Sequence, residues 1–296
     1  MFRTLAAAAL AVTIATATMA AQDSLTPEEF ESKLAYKTGT VQISGGMATI
    51  KLPESFRYLD EQDSRRVLVA WGNPPEAASD VLGMLVPSAI SPLSEDGWAI
   101  VITYDEDGYV SDEDAKTLNF DKILSEMQEQ TGETNKLREK EGFEPVMLVG
   151  WAEPPHYDAT SHKLYWAKEL KFGASKDHTL NYAIRILGRR GVLQLNAVSS
   201  IGQLAAVKEG TPDVLAAVEF NEGHRYTDYL PGTDKAAAYG IGGLILGSAA
   251  AKAGLFKGLW LVLLASKKLV FGGLVALGAA LKKFLGGSKD DAAAQA

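Results

Sequence analysis

The chain contains no cysteine and only four histidines among its 296 residues. Without thiols it can form no disulfide, no cysteine nucleophile and no zinc ribbon. No two histidines have the i, i+4 spacing typical of zinc proteases, and neither a Gly-x-Ser-x-Gly turn nor a phosphate-binding glycine loop is present. These absences exclude the enzyme classes that a short local motif would reveal.

Positive charge is scarce in the middle of the chain and concentrated near its C-terminal end. The whole chain carries 29 Lys and Arg against 37 Asp and Glu, a formal net charge of −8. Residues 235–296 contain eight lysines and two acids, whereas residues 22–234 contain 20 basic and 35 acidic residues. Because a phosphate backbone repels such an acidic body, the sequence predicts no nucleic-acid partner.

The N-terminus has the pattern of an export signal. Arg3 precedes an apolar run from Leu5 to about Ala17, and small residues follow as far as Ala21. The run is shorter than the roughly 20 residues that a spanning helix needs. Residues 1–21 are therefore predicted to be a cleaved signal peptide, with an uncleaved anchor helix as the alternative. We expect residues 22–234 to form the exported domain.

Residues 235–287 are predicted to hold the protein at a membrane. Residues 236–256 carry one charge, and as a helix of about 31 Å they match the thickness of a bilayer core. Gly243, Gly247 and Ala251 recur every four residues, a spacing that predicts close helix packing. A homo-oligomer that forms through this segment is therefore one alternative for the function of the protein. Lys267 and Lys268 interrupt the next apolar stretch, residues 258–281, which favours a helix in the lipid interface over a second span. Residues 288–296 form a polar tail.

These two ends predict a location in the inner membrane of a Gram-negative bacterium, with inner-membrane lipid as one partner. An export signal places the main domain in the periplasm, and a single span then places the C-terminus in the cytoplasm. The lysines that follow the span agree with this orientation, because positive charge is enriched on the cytoplasmic side.

Between the ends, the hydrophobic pattern predicts an α+β fold in which helices pack on an antiparallel sheet. Short turns between the last three strands indicate an antiparallel meander. Helices are expected at Asp60–Trp71, Asp121–Glu141 and Asp213–Phe220. Strands are expected at Thr40–Ser44, Met47–Leu52, Leu82–Val86, Trp98–Tyr104, Val146–Ala152, Lys163–Phe172, Thr179–Leu187 and Val192–Val198.

A cluster of acidic residues is a candidate cation loop and consists of Asp105, Asp107, Asp112 and Asp114. Carboxylate oxygens are the ligands that Ca²⁺ prefers. The spacing departs from the helix–loop–helix calcium loop, which needs glycine at its sixth position. A solvated acidic loop is therefore the favoured interpretation, and the sequence predicts neither a resident metal nor a cofactor.

Aromatic residues and arginines concentrate between residues 150 and 191. The candidate ligand face consists of Trp151, His156, Tyr157, Tyr165, Trp166, Tyr182, Arg185 and Arg189. Aromatic side chains on neighbouring strands line many ligand sites, but more often they are cross-strand pairs that stabilise a sheet. The arginines are expected to meet local carboxylates or an anionic partner. No catalytic residue is predicted.

Several motifs together resemble the bacterial family called domain of unknown function 2167. They are Ile50-Lys51-Leu52-Pro53, Trp71-Gly72-Asn73-Pro74-Pro75, Tyr104-Asp105-Glu106-Asp107-Gly108-Tyr109-Val110, Pro154-Pro155-His156-Tyr157-Asp158, His162-Lys163-Leu164-Tyr165-Trp166 and Phe220-Asn221-Glu222-Gly223-His224-Arg225-Tyr226. The resemblance runs from about residue 35 into the C-terminal segment. It implies a secreted domain with a membrane anchor, and it implies no activity.

The sequence favours a non-enzymatic binding or scaffold module of the cell envelope that has a protein partner. One alternative is an envelope hydrolase whose catalytic carboxylates are dispersed along the chain, since paired acids leave no local spacing signal. The other is an oligomer that assembles in the membrane through the C-terminal segment.

Overall fold

A seven-stranded antiparallel sheet organises the part of the chain that the structure, a computed structural model, describes: residues 26–94, 96–140 and 142–247. The predicted signal peptide, Ala251 and most of the predicted membrane segment lie outside these residues.

The strands are β1 (Thr40–Ile43), β2 (Ala48–Lys51), β3 (Phe56–Leu59), β4 (Val81–Pro87), β5 (Ala99–Asp105), β6 (Tyr109–Ser111), β7 (Val146–Asp158), β8 (Lys163–Phe172), β9 (His178–Leu187), β10 (Val192–Ser200), β11 (Val218–Phe220) and β12 (Ala236–Gly240). The helices are α1 (Pro27–Glu31), α2 (Glu61–Ala70), α3 (Phe120–Lys140), α4 (Leu204–Ala217) and α5 (Ile241–Leu246). The large sheet has the order β3-β4-β5-β10-β9-β8-β7, and each neighbouring pair is antiparallel. The predicted α+β class with an antiparallel sheet is confirmed.

The two faces of the large sheet are covered differently. On one face, a small sheet of order β1-β2-β11 and helix α4 pack over the central strands, where Ile50, Val214 and Ile102 are buried together. On the other face, α2 covers one half with Leu68 against Met84 in a common cluster. We call this second surface the helix side of the sheet.

The helix side has a second hydrophobic cluster, and a gap separates the two. Helices α3 and α5 cover strands β7 to β9 through residues such as Ile123 and Ile245. Gln194, Asn196 and Val198 alternate along β10 on this side, belong to neither cluster and are half-buried. The middle of the sheet is therefore less covered than its two halves.

The prediction of a helix at Asp213–Phe220 is wrong at both ends, because the helix begins earlier and residues 218–220 form strand β11. Helix α4 begins at Leu204 rather than Asp213, includes Pro212, and ends before β11. Proline normally starts or breaks a helix because it lacks an N–H. Here the Thr211 hydroxyl donates to the Val207 carbonyl at 2.8 Å, and burial of Val207 and Val214 keeps the helix on the sheet.

The predicted membrane helix does not begin at Ala236. Residues 236–240 form β12, which runs parallel to β6, and α5 buries Ile241 and Ile245 against α3. These apolar residues complete the folded domain because the protein interior removes them from water as a bilayer would. Gly243 lies within α5 and Gly247 ends it with a φ of 82°. Among the residues described, no helix is long and apolar enough to cross a membrane.

Side chains of α3 shield the outer edge of strand β7. The Asn135 amide donates to the Val146 carbonyl at 2.7 Å and accepts from the Val146 N–H at 2.8 Å. Gln128 Nε2 donates to the Leu148 carbonyl at 3.2 Å. An unpaired edge strand is a template for pairing with another chain. The two amides therefore take the place of a neighbouring strand.

Replacing Asn135 with leucine is expected to lower the free energy of unfolding by about 2 kcal/mol, because two buried backbone groups of Val146 lose their partners. Gln130→Leu, on the exposed side of the same helix, is the matched control and should change it by less than about 0.5 kcal/mol. Chemical denaturation of the full chain in detergent measures both. Equal stability of the two variants would show that water replaces the Asn135 amide at no cost.

Candidate functional site

The sheet divides the predicted ligand face between its two surfaces, because successive residues of a strand point in opposite directions. His156, Tyr165 and Tyr182 lie on the side of α4 and form a row across β7, β8 and β9. The His156 and Tyr165 rings are 5.1 Å apart, and the Tyr165 and Tyr182 rings are 6.3 Å apart and nearly parallel. These three residues are therefore in contact across neighbouring strands of the sheet.

Trp151, Trp166 and Arg185 lie on the helix side. Trp151 Nε1 donates to the Phe120 carbonyl at 3.2 Å and so fixes the start of α3. The Arg185 guanidinium lies 5.1 Å from the centre of the Trp166 ring and donates to the Asn196 side chain at 3.0 Å. Burial lowers the pKa of Arg185 to about 9, although the nearby Asp105 carboxylate acts in the opposite direction.

Arg189 forms a two-point ion pair with Asp234. Its Nε and Nη2 donate to the two carboxylate oxygens at 2.6 and 3.1 Å. Asp234 also accepts from the Leu230 N–H at 2.8 Å. The ion pair therefore holds the segment before β12 against the turn between β9 and β10.

The carboxylates of the predicted cation loop turn toward different partners. Asp107 accepts from the Tyr239 hydroxyl at 2.7 Å, and Asp112 accepts from the Tyr157 hydroxyl at 2.7 Å. Asp114 accepts from the backbone N–H groups of Ile241 and Gly242, both at 2.9 Å, and the buried Asp105 lies 3.4 Å from the Gln194 amide. Within the described ranges, no three His, Asp or Glu side chains are grouped to hold a metal ion.

Four stacked rings form the feature that sequence analysis missed. In order they are Tyr229, Tyr109, Tyr226 and His162, and we call them the ring column. The successive ring centres are 3.9, 4.5 and 4.1 Å apart, with angles of 12°, 26° and 30° between the planes. The rings come from β6, from the β7–β8 turn and from the segment after β11.

A tyrosine of the predicted ligand face closes one end of this site. The Tyr157 hydroxyl donates to Asp112 Oδ2 at 2.7 Å and lies 3.2 Å from His162 Nδ1. Burial, followed by the hydrogen bond to Asp112, raises the pKa of Tyr157. The phenol therefore keeps its proton at neutral pH and acts as a hydrogen-bond donor.

The ring column is held rigidly by contacts from its surroundings. The Tyr226 hydroxyl donates to the Val110 carbonyl at 3.0 Å, and burial raises the pKa of Tyr226. His162 has a φ of 53°, a left-handed conformation that is uncommon outside glycine. Its carbonyl accepts from the Leu187 N–H at 3.0 Å, which helps to hold this backbone geometry. The hydroxyl groups of Tyr157 and Tyr226 are thus both hydrogen-bonded within the site.

Because of the Arg189–Asp234 pair, we expect the fold to become less stable in acid. Hydrogen bonds from Arg189 lower the pKa of Asp234 from 3.8 to about 2. A carboxyl group with a depressed pKa stabilises the fold above its unfolded pKa, and this contribution is lost as the pH falls from about 4 to 2. Asp234→Asn should therefore flatten the decline of melting temperature over this range. The same slope in Asp234→Asn and the wild type would show that other carboxylates cause the decline.

The sheet and its helices define an α+β domain with an internal aromatic site. The chain belongs to the family described as "Protein of unknown function (DUF2167)", which matches residues 35–278. No curated protein matches the chain.

Two solved structures show a distant similarity. Cyanobacterial PsbP (CyanoP) from Synechocystis sp. PCC 6803 is 8% identical with a TM-score of 0.35, and the alignment covers 62% of this chain and 91% of that one. The Ran-binding protein Mog1p of Saccharomyces cerevisiae is 12% identical with a TM-score of 0.32, and the coverage is 63% and 96%.

Proposed function

We propose that the protein is a non-enzymatic binding module of the bacterial cell envelope that recognises a protein partner through the ring column. The observation that carries the proposal is the stack of four rings from three separate segments. Aromatic side chains are enriched at the energetic centres of protein interfaces because they bury a large area with few rotatable bonds. Beside the column, Leu230 is 50% exposed and enlarges the apolar surface.

The rigidity of the site supports recognition. Tyr157 and Tyr226 are fixed by hydrogen bonds, and the Arg189–Asp234 pair holds the segment that carries Tyr229 and Leu230. Side chains that are already ordered lose little conformational entropy on binding, which improves affinity. A reactive site would instead keep a nucleophile or base ready for substrate, whereas the Tyr157 phenol is already engaged by Asp112.

The membrane part of the proposal rests on the sequence beyond the folded domain. Residues 1–21 have the pattern of an export signal, and the apolar residues that follow Gly247 provide a tether with lysines on its far side. In this proposal the domain lies in the periplasm and the tether enters the inner membrane after α5. The domain then meets its partner close to the lipid surface.

Site-specific photo-crosslinking in living cells tests the ring column. A photoreactive residue at position 229 is expected to capture one protein, which is then purified and measured against the full chain. Tyr229→Ala should weaken binding at least tenfold, as expected of an interface centre. Lys122→Ala, whose side chain is 75% exposed on α3, should change affinity less than twofold. Equal crosslinking from positions 122 and 229, or unchanged affinity of Tyr229→Ala, would overturn the proposal.

Protease treatment of spheroplasts tests the location. The full chain with a C-terminal tag should sediment with membranes, and external protease should digest the domain while leaving the tag intact. A domain protected until the membrane is lysed would place it in the cytoplasm and contradict the envelope assignment.

A further inference from the structure

We propose that strand β1 and the cleft beside it bind an extended, uncharged peptide segment of a partner protein, which adds a fourth strand to the small sheet. The site uses none of the residues of the ring column. Recognition here depends on main-chain hydrogen bonds, so it is independent of the partner proposed for the stacked rings.

The outer edge of β1 presents main-chain groups that are not bonded to β2. The Leu52 N–H donates to the Gly39 carbonyl at 2.9 Å, which sets the register of the ladder. Because hydrogen-bonded pairs alternate along an antiparallel ladder, Val41 bonds to β2, whereas the N–H and C=O groups of Thr40 and Gln42 point away from it. Both residues are exposed, and within the described ranges these four groups have no hydrogen-bond partner.

Two other sheet edges are covered by neighbouring residues. At β3, the Lys37 N–H donates to the Tyr58 carbonyl at 2.8 Å, and the Lys37 carbonyl accepts from the Tyr58 N–H at 2.9 Å. At β7, the side chains of Asn135 and Gln128 have this role. Strand β1 contains no proline and no charged residue, and its register with β2 has no bulge. It therefore lacks three of the features that keep an edge strand from pairing with another chain.

A cleft of about 630 Å³ lies beside this edge. Its volume is within the range of roughly 300–1,000 Å³ that is usual for ligand sites. Val41 and Gln42 line it from β1, and Tyr58 and Leu82 line it from the large sheet. The Tyr58 hydroxyl is already engaged, because it donates to the Leu82 carbonyl at 2.8 Å. Leu82 is half-buried, so part of its side chain is left for an occupant of the cleft to cover.

An added strand would place its side chains alternately in the cleft and in water. Such a strand lies about 4.8 Å from its neighbour, and its N–H and C=O groups would meet those of Thr40 and Gln42. The residue directly opposite Val41 would point to the same side of the sheet as Val41, which is buried in the core. An apolar side chain at that position would cover Leu82.

The charges around the cleft select an uncharged segment. Lys37 Nζ lies 3.1 Å from Asp60 Oδ2, and Arg65 Nη2 lies 3.8 Å from Glu61 Oε2. The hydrogen bond from Lys37 lowers the pKa of Asp60, so this carboxylate stays ionised at neutral pH. The two positive and two negative charges form pairs with each other. A charged side chain in the cleft would therefore meet no net charge of opposite sign.

Selection from a displayed library of short random peptides on the full chain in detergent tests the site. Each enriched peptide is synthesised, and its affinity for the full chain is measured. Peptides that bind at β1 should share an uncharged stretch with apolar residues at every second position. When such a peptide binds, hydrogen exchange of the Thr40 and Gln42 amides should slow at least tenfold, because both N–H groups gain a partner.

A pair of variants at one position separates main-chain recognition from side-chain recognition. Gln42→Pro removes an outward N–H but no hydrogen bond between β1 and β2, and proline is tolerated at such edge positions. The affinity of the peptide should fall about tenfold. Gln42→Ala is the matched control: it also loses the side chain that accepts from Thr49 and Asn221, but it keeps the N–H. Its affinity should change less than threefold, and Tyr229→Ala should bind as the wild type does.

If Gln42→Pro does not fold, the peptide is changed instead. N-methylation of its alternate residues should abolish binding in one of the two registers only, because the N–H groups of a strand point alternately toward and away from its neighbour. Equal affinity of Gln42→Pro and Gln42→Ala for every enriched peptide, or loss of binding in Tyr229→Ala, would overturn the proposal. A dimer in solution that Gln42→Pro dissociates would also overturn it, since β1 would then pair with a second copy of the chain.

Discussion

Replacing Gly191 with alanine is expected to lower the free energy of unfolding by about 3 kcal/mol. A Cβ atom at this position would lie 2.1 Å from the Asp105 carbonyl oxygen and 2.9 Å from the Tyr104 ring. Both groups belong to β5, whose backbone is fixed by β4 on one side and β10 on the other. The strand cannot move away without breaking hydrogen bonds in the centre of the sheet, so the clash is relieved only by distorting the turn before β10.

Gly150→Ala is the matched control for this prediction. Gly150 lies in the edge strand β7, and an added Cβ would meet no atom within 4 Å. The free energy of unfolding of Gly150→Ala should differ from that of the wild type by less than about 0.5 kcal/mol. Thermal and chemical denaturation of both full-length variants measure the difference. Equal stability of Gly191→Ala and Gly150→Ala would show that β10 does not approach β5 as closely as described.

Replacing Tyr226 with alanine is expected to lower the free energy of unfolding by about 4 kcal/mol, because a large buried ring is deleted from the core. The loss removes the stacking partner of both Tyr109 and His162 and the hydrogen bond to the Val110 carbonyl. In this variant Tyr229 keeps its stacking contact with Tyr109, but Tyr109 has no further ring behind it. The ring column should therefore lose its order even at temperatures where the domain stays folded.

Tyr226→Phe separates the ring from its hydroxyl group. The ring remains stacked, and the hydroxyl loses its hydrogen bond to the Val110 carbonyl and its side-chain hydrogen bond with Tyr109, so the cost should be about 1 kcal/mol. If the ring column is the recognition surface, Tyr226→Phe should keep its affinity for the partner while Tyr226→Ala loses it. A cost as large for Tyr226→Phe as for Tyr226→Ala would show that the hydroxyl, not the stacking, holds the site together.

Strand β10 could be predicted from the sequence because its apolar residues Leu193, Leu195 and Ala197 repeat with a period of two. The predicted strand at Thr179–Leu187 differs from β9 by one residue, and the predicted helix at Asp121–Glu141 differs from α3 by one residue at each end. Both elements bury apolar side chains in the core, so the local pattern and the tertiary fold agree.

Tertiary contacts decided the elements that the sequence pattern missed. The Thr211-Pro212 pair is a common helix start, but burial of Val207 places it inside α4. The alanines and glycines from Ala236 onward suit a membrane helix equally well, but β6 and α3 offer them another apolar surface. The β6 and α3 partners of residues 236–246 lie more than 90 residues earlier in the sequence.

The candidate site was predicted only in part for the same reason. Tyr157 and Asp112 were each singled out, yet no local pattern shows that a hydroxyl and a carboxylate 45 residues apart form a hydrogen bond. Tyr109 and Tyr226 stood within motifs that resemble the family, and that was the one signal of their importance. Stacking between distant segments leaves no periodic trace in a sequence.

The pairing of β12 with β6 has a mechanical consequence. Tyr109 donates its backbone N–H to the Lys235 carbonyl, and Asp114 accepts from the first turn of α5, so the last described residues are fastened to the segment that carries the ring column. A pull on the chain after Gly247 would act first on α5, which packs on α3 and is held by the Asp114 carboxylate, and then on this short parallel pair. The C-terminal segment and the ring column are thus joined through β6, a single strand of three residues.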